Sequence, residues 1–320
     1  MARETARVRP MTGGEVAIRN PQSAIRNSRP PWMEKPHPVA AVAKGLILVC
    51  LTVLMLFPFV YVIATSFSSY ADVAGGGVVL FPKHPTLEAY RTIFRSGIVV
   101  RALWVSVLLT VGGTAVNMFM TTTMAYGLSR RGMVGSRFVL GLVLFTMLFT
   151  SGIIPNYLLV KQLGLLNTFG ALILPGAISA FNLVILRQFF MSLPEELLES
   201  ARLDGASDLR ILLQIILPLS KPVLAVIALF YGVAHWNDFF AATLYLKDTD
   251  KWPIQLVLRQ YVLQGGALAS AVDLDPNQTP PPLHTIQMAV VVVATVPILC
   301  VYPFLQKYFT QGVLSGAIKG

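Results

Sequence analysis

The chain has 320 residues, of which 55% are hydrophobic and only 12% charged, with a formal net charge of +10 and a mean hydropathy of +0.66. A soluble domain carries about 25% charged residues, so this chain lacks the charge to solvate an ordinary globular surface. The basic excess does not indicate nucleic acid either. Lys and Arg are not interleaved with aromatics on a polar face; they flank long apolar runs, as in the loops of a membrane protein.

Residues 1–37 are rich in Arg, Pro, Asn and Ser and cannot bury a core. Residues 1–40 are therefore expected to form a disordered cytoplasmic tail ahead of a transmembrane domain at 41–320. The tail repeats Ala17-Ile18-Arg19-Asn20 as Ala24-Ile25-Arg26-Asn27, which suggests a start codon assigned too early and translation from Met33. N-terminal peptide mapping checks this, since a native peptide covering residues 11–26 contradicts it. The tail lacks the apolar core and cleavage site of a signal peptide.

Six apolar spans follow, at approximately 43–66, 103–128, 138–160, 170–190, 221–244 and 285–306. A helix needs about 20 apolar residues to cross a hydrocarbon core about 30 Å thick. The uncharged stretches between Arg101 and Arg130, Arg137 and Lys161, and Asp275 and Lys307 hold 28, 23 and 31 residues, so each is long enough. Helix is the expected form, because no water is available there to satisfy backbone N–H and C=O groups. The expectation is an all-α integral membrane protein with about six transmembrane helices. Arg187, near the end of the fourth span, is expected at the interface or snorkelling toward it. Asn117, Asn182 and Gln188 are expected to make interhelical hydrogen bonds. Cys50 and Cys300 lie inside apolar runs and read as small hydrophobes.

Setting Arg187 aside, the loops alternate in charge: 16 Lys and Arg lie on the side of the two termini and 8 on the other. This bias puts both termini in the cytoplasm. The two long external segments, 67–101 and 245–284, carry the turn-rich Gly75-Gly76-Gly77, Phe81-Pro82-Lys83-His84-Pro85 and Pro280-Pro281-Pro282. Asn277-Gln278-Thr279 matches a glycosylation sequon, a triplet that arises often by chance.

One cytoplasmic loop, 192–218, is unlike a simple connector. Ser192 with Glu195 forms a candidate capping box, with Pro194 tolerated in the first turn. Leu197, Leu198 and Ala201 make a small apolar face ringed by Glu195, Glu196, Glu199 and Arg202. Gly205 after Asp204 can take the left-handed conformation that ends a helix. A second helix is expected from Ser207 or Asp208 to Pro218. A helix lying on lipid headgroups would usually be basic, whereas this one is acidic.

The spacing of Glu199, Ala201, Gly205, Ile215, Leu217 and Pro218 resembles the coupling loop of binding-protein-dependent ABC importer permeases. That pattern runs Glu-Ala-Ala, then Gly, then Ile-x-Leu-Pro; Ser200 stands at its middle Ala, a small-for-small change. Softer likenesses place the chain near the carbohydrate-uptake branch, similar to the maltose-type second permease and its oligosaccharide relatives: 151–157, Asn182 to Arg187, Trp236-Asn237 and 307–320. The resemblance covers roughly residues 40–320.

The resemblance implies a type I ABC importer permease fold in a bacterial or archaeal cytoplasmic membrane. Its coupling helix would dock on a cytoplasmic ATPase through Glu199, Ser200, Ala201, Asp204, Gly205, Ile215, Leu217 and Pro218. The implied partners are a second homologous permease, two ATPase subunits, an extracellular or periplasmic solute-binding protein and membrane lipid, with no nucleic acid. The chain has no phosphate-binding Gly-x-x-x-x-Gly-Lys loop, so ATP would be used by the partner ATPase and no cofactor bound directly. His37, His84, His235 and His284 show no metal-ligand spacing, and no nucleophile elbow is present. The chain is therefore not expected to be an enzyme.

The alternative class is a secondary transporter driven by an ion gradient, which would place ionisable groups deep in the membrane. Only His235 and Asp238 are candidates. For the solute path, Trp236, Asn237 and Asp238 offer an aromatic plate beside amide and carboxylate, suited to a sugar. Two readings of Trp236 stand, a wall of the path or an anchor at the interface. The tail 307–320 is expected to reach the ATPase, and Gly312, Gly316 and Gly320 argue against a stable isolated helix there.

Overall fold

The computed structural model describes residues 38–74, 77–130, 132–264 and 282–317. The tail with its Met33 start, Gly75-Gly76, the 277–279 sequon, Pro280, Pro281 and Gly320 lie outside the described residues. The chain divides into two units, residues 1–56 and 57–320. In the first, the described residues are the leading part of helix α1 (Pro38–Ser66), with every described side chain over 38–56 exposed. A helix apolar all round is suited to a bilayer's hydrocarbon.

In the second unit the helices are α2 (Tyr70–Ala74), α3 (Glu88–Arg95), α4 (Ile98–Ser129), α5 (Ser136–Leu148), α6 (Ile153–Gln162), α7 (Gly170–Ile173) and α8 (Ala180–Met191). These are followed by α9 (Glu195–Leu203), α10 (Asp208–Leu219), α11 (Lys221–Asn237), α12 (Phe240–Tyr245), α13 (Ile254–Gln264) and α14 (Leu283–Ala317). No strand occurs among the described residues. All six expected spans fall on helix, but only α1, α4 and α14 are unbroken and long enough to cross a bilayer singly.

The breaks have local causes. The third expected span splits into α5 and α6, because Gly152 takes φ +77° and ψ 176°, a region open essentially to glycine alone. The fourth splits into α7 and α8 across Pro175-Gly176, and Ser179 restarts it by accepting the Asn182 N–H on its hydroxyl. The fifth ends at Asn237, where Asp238 turns extended, and resumes as α12. The last span continues through Gly312 and Gly316 to Ala317. The glycines there are carried on a longer helix rather than standing as an isolated one, which removes the nucleation cost.

Helix α4 is the axis of the unit, packed on α11 and α8, while α14 packs on α11, α13 and α3. Small residues permit the close approach: a Cβ on Gly113 would come within 2.6 Å of the His235 ring, and Gly232 faces Thr114. Polar groups tie the same seam. Tyr231 Oη shares a 2.6 Å hydrogen bond with Thr121 Oγ1 and accepts the Ser179 N–H at 2.9 Å. Asn117 Nδ2 donates to the Gly176 carbonyl in the break between α7 and α8, a bond from helix to turn rather than the expected one from helix to helix. Gln188 instead lies exposed, and Asn182 is buried with its backbone N–H on the Ser179 cap. Arg187 Nε donates to the Leu128 carbonyl at 3.0 Å, closing the end of α4.

At the opposite end of the bundle a polar clasp joins two loops. Asn167, at φ +62°, accepts the Lys247 and Asp248 N–H groups on Oδ1 and donates Nδ2 to Asp248 Oδ2 at 2.7 Å. Lys251 Nζ donates to the Asn167 carbonyl and to Asp248 Oδ2. The Lys251 ammonium and the Asn167 amide hold the Asp248 carboxyl below its ordinary range.

Candidate functional site

The loop 192–218 is built onto the bundle by a few small and branched side chains. Ala201, Ile211, Leu212 and Ile216 are buried against Ala125 and Leu128 of α4 and Leu183, Leu186 and Phe190 of α8. Ala201 is the contact that lets α9 approach, because a larger side chain would hold the helix off. Of the expected apolar face, Leu198 is partly buried, but Leu197 is 45% exposed.

Helix α9 does not begin on the expected capping box. Ser192 ends α8 instead, its N–H on the Gln188 and Phe189 carbonyls and its hydroxyl donating to Phe189 O at 2.7 Å. Pro194 occupies the cap position, and α9 starts at Glu195 with two acidic residues in its first turn, favourable at a helix N-terminus. Its end is as expected. Gly205 takes φ +78°, its N–H meets the Arg202 carbonyl and the Ala206 N–H meets the Ala201 carbonyl. These are the two bonds of a Schellman ending.

Ser207 then caps α10, accepting the Arg210 N–H. Tyr126 Oη reaches over from α4 and donates to the Asp208 carbonyl at 2.9 Å, while Arg130 lies 4.1 Å over the Tyr126 ring and donates to its hydroxyl. Within α10 the turn Leu212–Ile216 widens to a π-helix. The widening precedes Pro218, whose ring would otherwise meet the Gln214 carbonyl and which has no N–H to give it. Ile215 and Leu217 are half-buried on the same cluster, and Pro218 is exposed. After Ser220 the chain enters α11 at 85° to α10.

The outward side of this loop is acidic and apolar together. Glu199, Ser200 and Asp204 are exposed, with Ser200 Oγ donating back to Leu197 O. Leu203 is 89% exposed and Leu209 65%. The sequence pattern singled out the motif residues but passed over Leu203 and Leu209. Their signal was present: leucines on a polar loop, outside the apolar spacing that Ala201 begins. A rim ion pair, Arg202 with Asp208 at 3.9 Å, contributes only about 0–1 kcal/mol at such exposure.

The expected path residues part company. Trp236 is buried, only 6% exposed, among Ala102, Val290 and Ala294, and its Nε1 donates to the Ala294 carbonyl at 3.2 Å. Its indole packs α11 onto α14 and has no open face. Asn237 is exposed, with Nδ2 donating back to Val233 O. Asp238 Oδ1 accepts the Ala241 N–H at 3.0 Å and so starts α12. No cluster of three or more metal-ligating side chains occurs among the described residues.

Residues 123–315 match the family described as binding-protein-dependent transport system inner membrane component. The chain is 50% identical over 273 residues to the polygalacturonan/rhamnogalacturonan transport system permease protein YtcP of Bacillus subtilis, covering 85% of this chain and 96% of that one. It is 51% identical over 265 residues to protein LplC of the same organism, covering 83% and 90%. In three dimensions it resembles a bacterial ABC transporter involved in the import of the acidic polysaccharide alginate, with a TM-score of 0.81 and 30% identity, over 88% of this chain and all of that one (100%).

Proposed function

This chain belongs to the family of binding-protein-dependent transport system inner membrane components, and from that premise we propose that it is the sugar-conducting permease half of an importer whose loop 192–218 docks on a cytoplasmic ATPase. It is a multi-pass membrane protein and a permease subunit of a carbohydrate ABC importer. The cargo is an oligosaccharide: the relatives are named for polygalacturonan, rhamnogalacturonan and alginate, which are polymers containing sugar acids. The ion-gradient alternative has no counterpart among them.

The observation that carries the docking reading is the build of the loop. Ala201 holds α9 against the bundle, Gly205 ends it sharply, and Leu203 and Leu209 stand exposed beside Glu199 and Asp204. Leu203 and Leu209 stand exposed on one loop outside the apolar spans, where a docked partner would cover them. The 85° turn into α11 gives a push on α10 a direct route into a spanning helix. Both termini then face the cytoplasm with the ATPase, as the Lys and Arg bias requires. ATP is bound and hydrolysed by two separate ATPase subunits; a second permease completes the pathway, and an external binding protein delivers the sugar.

Uptake into proteoliposomes containing the purified complex tests this. Oligosaccharide uptake should require ATP on the loop side and the binding protein, and should survive ionophores that collapse proton and sodium gradients. Uptake that follows the gradients without ATP would overturn it.

A further inference from the structure

The end of α11 far from loop 192–218 carries a side-chain group that neither the motif nor the core absorbs. Arg259 of α13 reaches across to α12, where its Nη1 donates to Thr243 Oγ1 at 3.2 Å. Its guanidinium carbon lies 5.4 Å from the centre of the Phe239 ring. Thr243 spends its own proton on the Phe239 carbonyl at 2.7 Å, so its oxygen can only accept, and the guanidinium fork is held in one orientation.

Among the described residues, Asp208, Asp248 and Asp250 pair with Arg202, Lys251 and Arg101, and no carboxylate pairs with Arg259. The nearby Asp238 is turned to the backbone, capping Ala241. A guanidinium has five N–H donors in a planar fork, and among the described residues one of them is engaged. What remains is a preorganised, half-buried cation seated on an aromatic face, with donors to spare for a two-point contact.

Its position matters as much as its charge. Helix α11 turns Ile227, Tyr231 and Trp236 inward to α4 and α14, and leaves Phe230, Ala234 and Asn237 exposed. Those three recur at helical spacing, one open stripe. The stripe runs up to Phe239 and Phe240, which are 40% and 52% exposed, and Arg259 stands at its end.

We propose that Arg259, seated on Phe239, binds the carboxylate of a sugar acid at the mouth of the translocation path, so that the imported oligosaccharide is acidic. This rests on the carbohydrate-importer reading above. The fork takes both carboxylate oxygens, while the exposed aromatic rings meet the apolar face of the sugar. Arg259 thereby sets specificity rather than driving transport, and loop 192–218 is untouched by it.

The test compares two probes of equal length, trigalacturonate and neutral galactotriose, which differ in carboxylate against hydroxymethyl. Uptake of each is measured with the complete complex in proteoliposomes, with basal ATP hydrolysis as the control for folding. Arg259→Gln should lower trigalacturonate uptake roughly tenfold or more, the scale of one lost charge-assisted bond, and leave galactotriose uptake and basal hydrolysis unchanged. Arg259→Lys should recover part of the loss, since it keeps the charge but not the fork. An equal fall for both sugars makes Arg259 a structural or protein-contacting residue and overturns the proposal, as does a Gln variant indistinguishable from wild type. Wild-type uptake of galactotriose alone, or of neither sugar, overturns the acidic cargo; the importer reading fails separately, on uptake that needs no ATP.

Discussion

Gly205 offers a clean perturbation because its environment separates backbone strain from crowding. A Cβ added there would meet no heavy atom within 4 Å, yet φ is +78°. Within this chain, any loss on substitution is therefore conformational. For an ordinary L-residue the left-handed region costs about 1–2 kcal/mol, a factor of roughly 5–30 in the population of the correctly ended helix. The Gly205 and Ala206 N–H bonds to Arg202 and Ala201 depend on that angle. A β-branched residue is worse, whereas Asn visits the region readily.

The expected order of transport is therefore Gly, then Gly205→Asn, then Gly205→Ala, with Gly205→Val lowest. Uptake and substrate-stimulated ATP hydrolysis should fall together along the series, while the amount of subunit in the membrane stays constant, because the buried contacts of Ala201 and Ile211 are not touched. Quantitative blotting of membranes alongside uptake in proteoliposomes measures both. Normal uptake by the Val variant, or an Asn variant as impaired as Val, would refute the reasoning.

Three further outcomes are expected. Leu203→Ser should leave the thermal stability of the detergent-solubilised chain unchanged, because Leu203 is 89% exposed, and should reduce co-purification of the ATPase; full retention of the ATPase counts against docking at this loop. Tyr231→Phe strands the Ser179 N–H and removes the Thr121 bond; it should cost about 1–3 kcal/mol, read as a lower Tm, with an unchanged Tm disproving the buried tie. The Asp248 carboxyl is depressed by Lys251 and Asn167. Its contribution is present above the ordinary carboxylate pKa of about 4 and is lost as the pH falls through the lower folded value. Asp248→Asn should lower the Tm above pH 4 and converge with wild type as the pH falls further, and profiles that superimpose above pH 4 would show the clasp to be inert.

Much of this was legible in the residues because it depends on local chemistry. Uncharged runs longer than a bilayer's width dictate membrane helices whatever their packing. Gly205 after a short helix and Ser207 before the next dictate an ending and a start, since each acts through its own backbone. The same local logic misassigned Ser192: it has the chemistry to open a helix, but α8 runs on to Met191 and uses it as an ending. Sequence carries no record of how far the preceding helix extends.

The remainder required tertiary structure. Trp236, Asn237 and Asp238 are neighbours in the chain, yet one is buried against Ala294 and the next exposed, because successive residues on a helix point about 100° apart, while the third has left the helix and caps the next one. Arg187 finds its acceptor on Leu128, 59 residues away, a partner that spacing along the chain does not show. Arg259 meets Phe239 and Thr243 only because α13 folds back over α12. Composition and spacing determine that this chain lives in a membrane and where loop 192–218 turns. Which polar groups face each other across that membrane is a long-range matter, decided by how the broken helices pack.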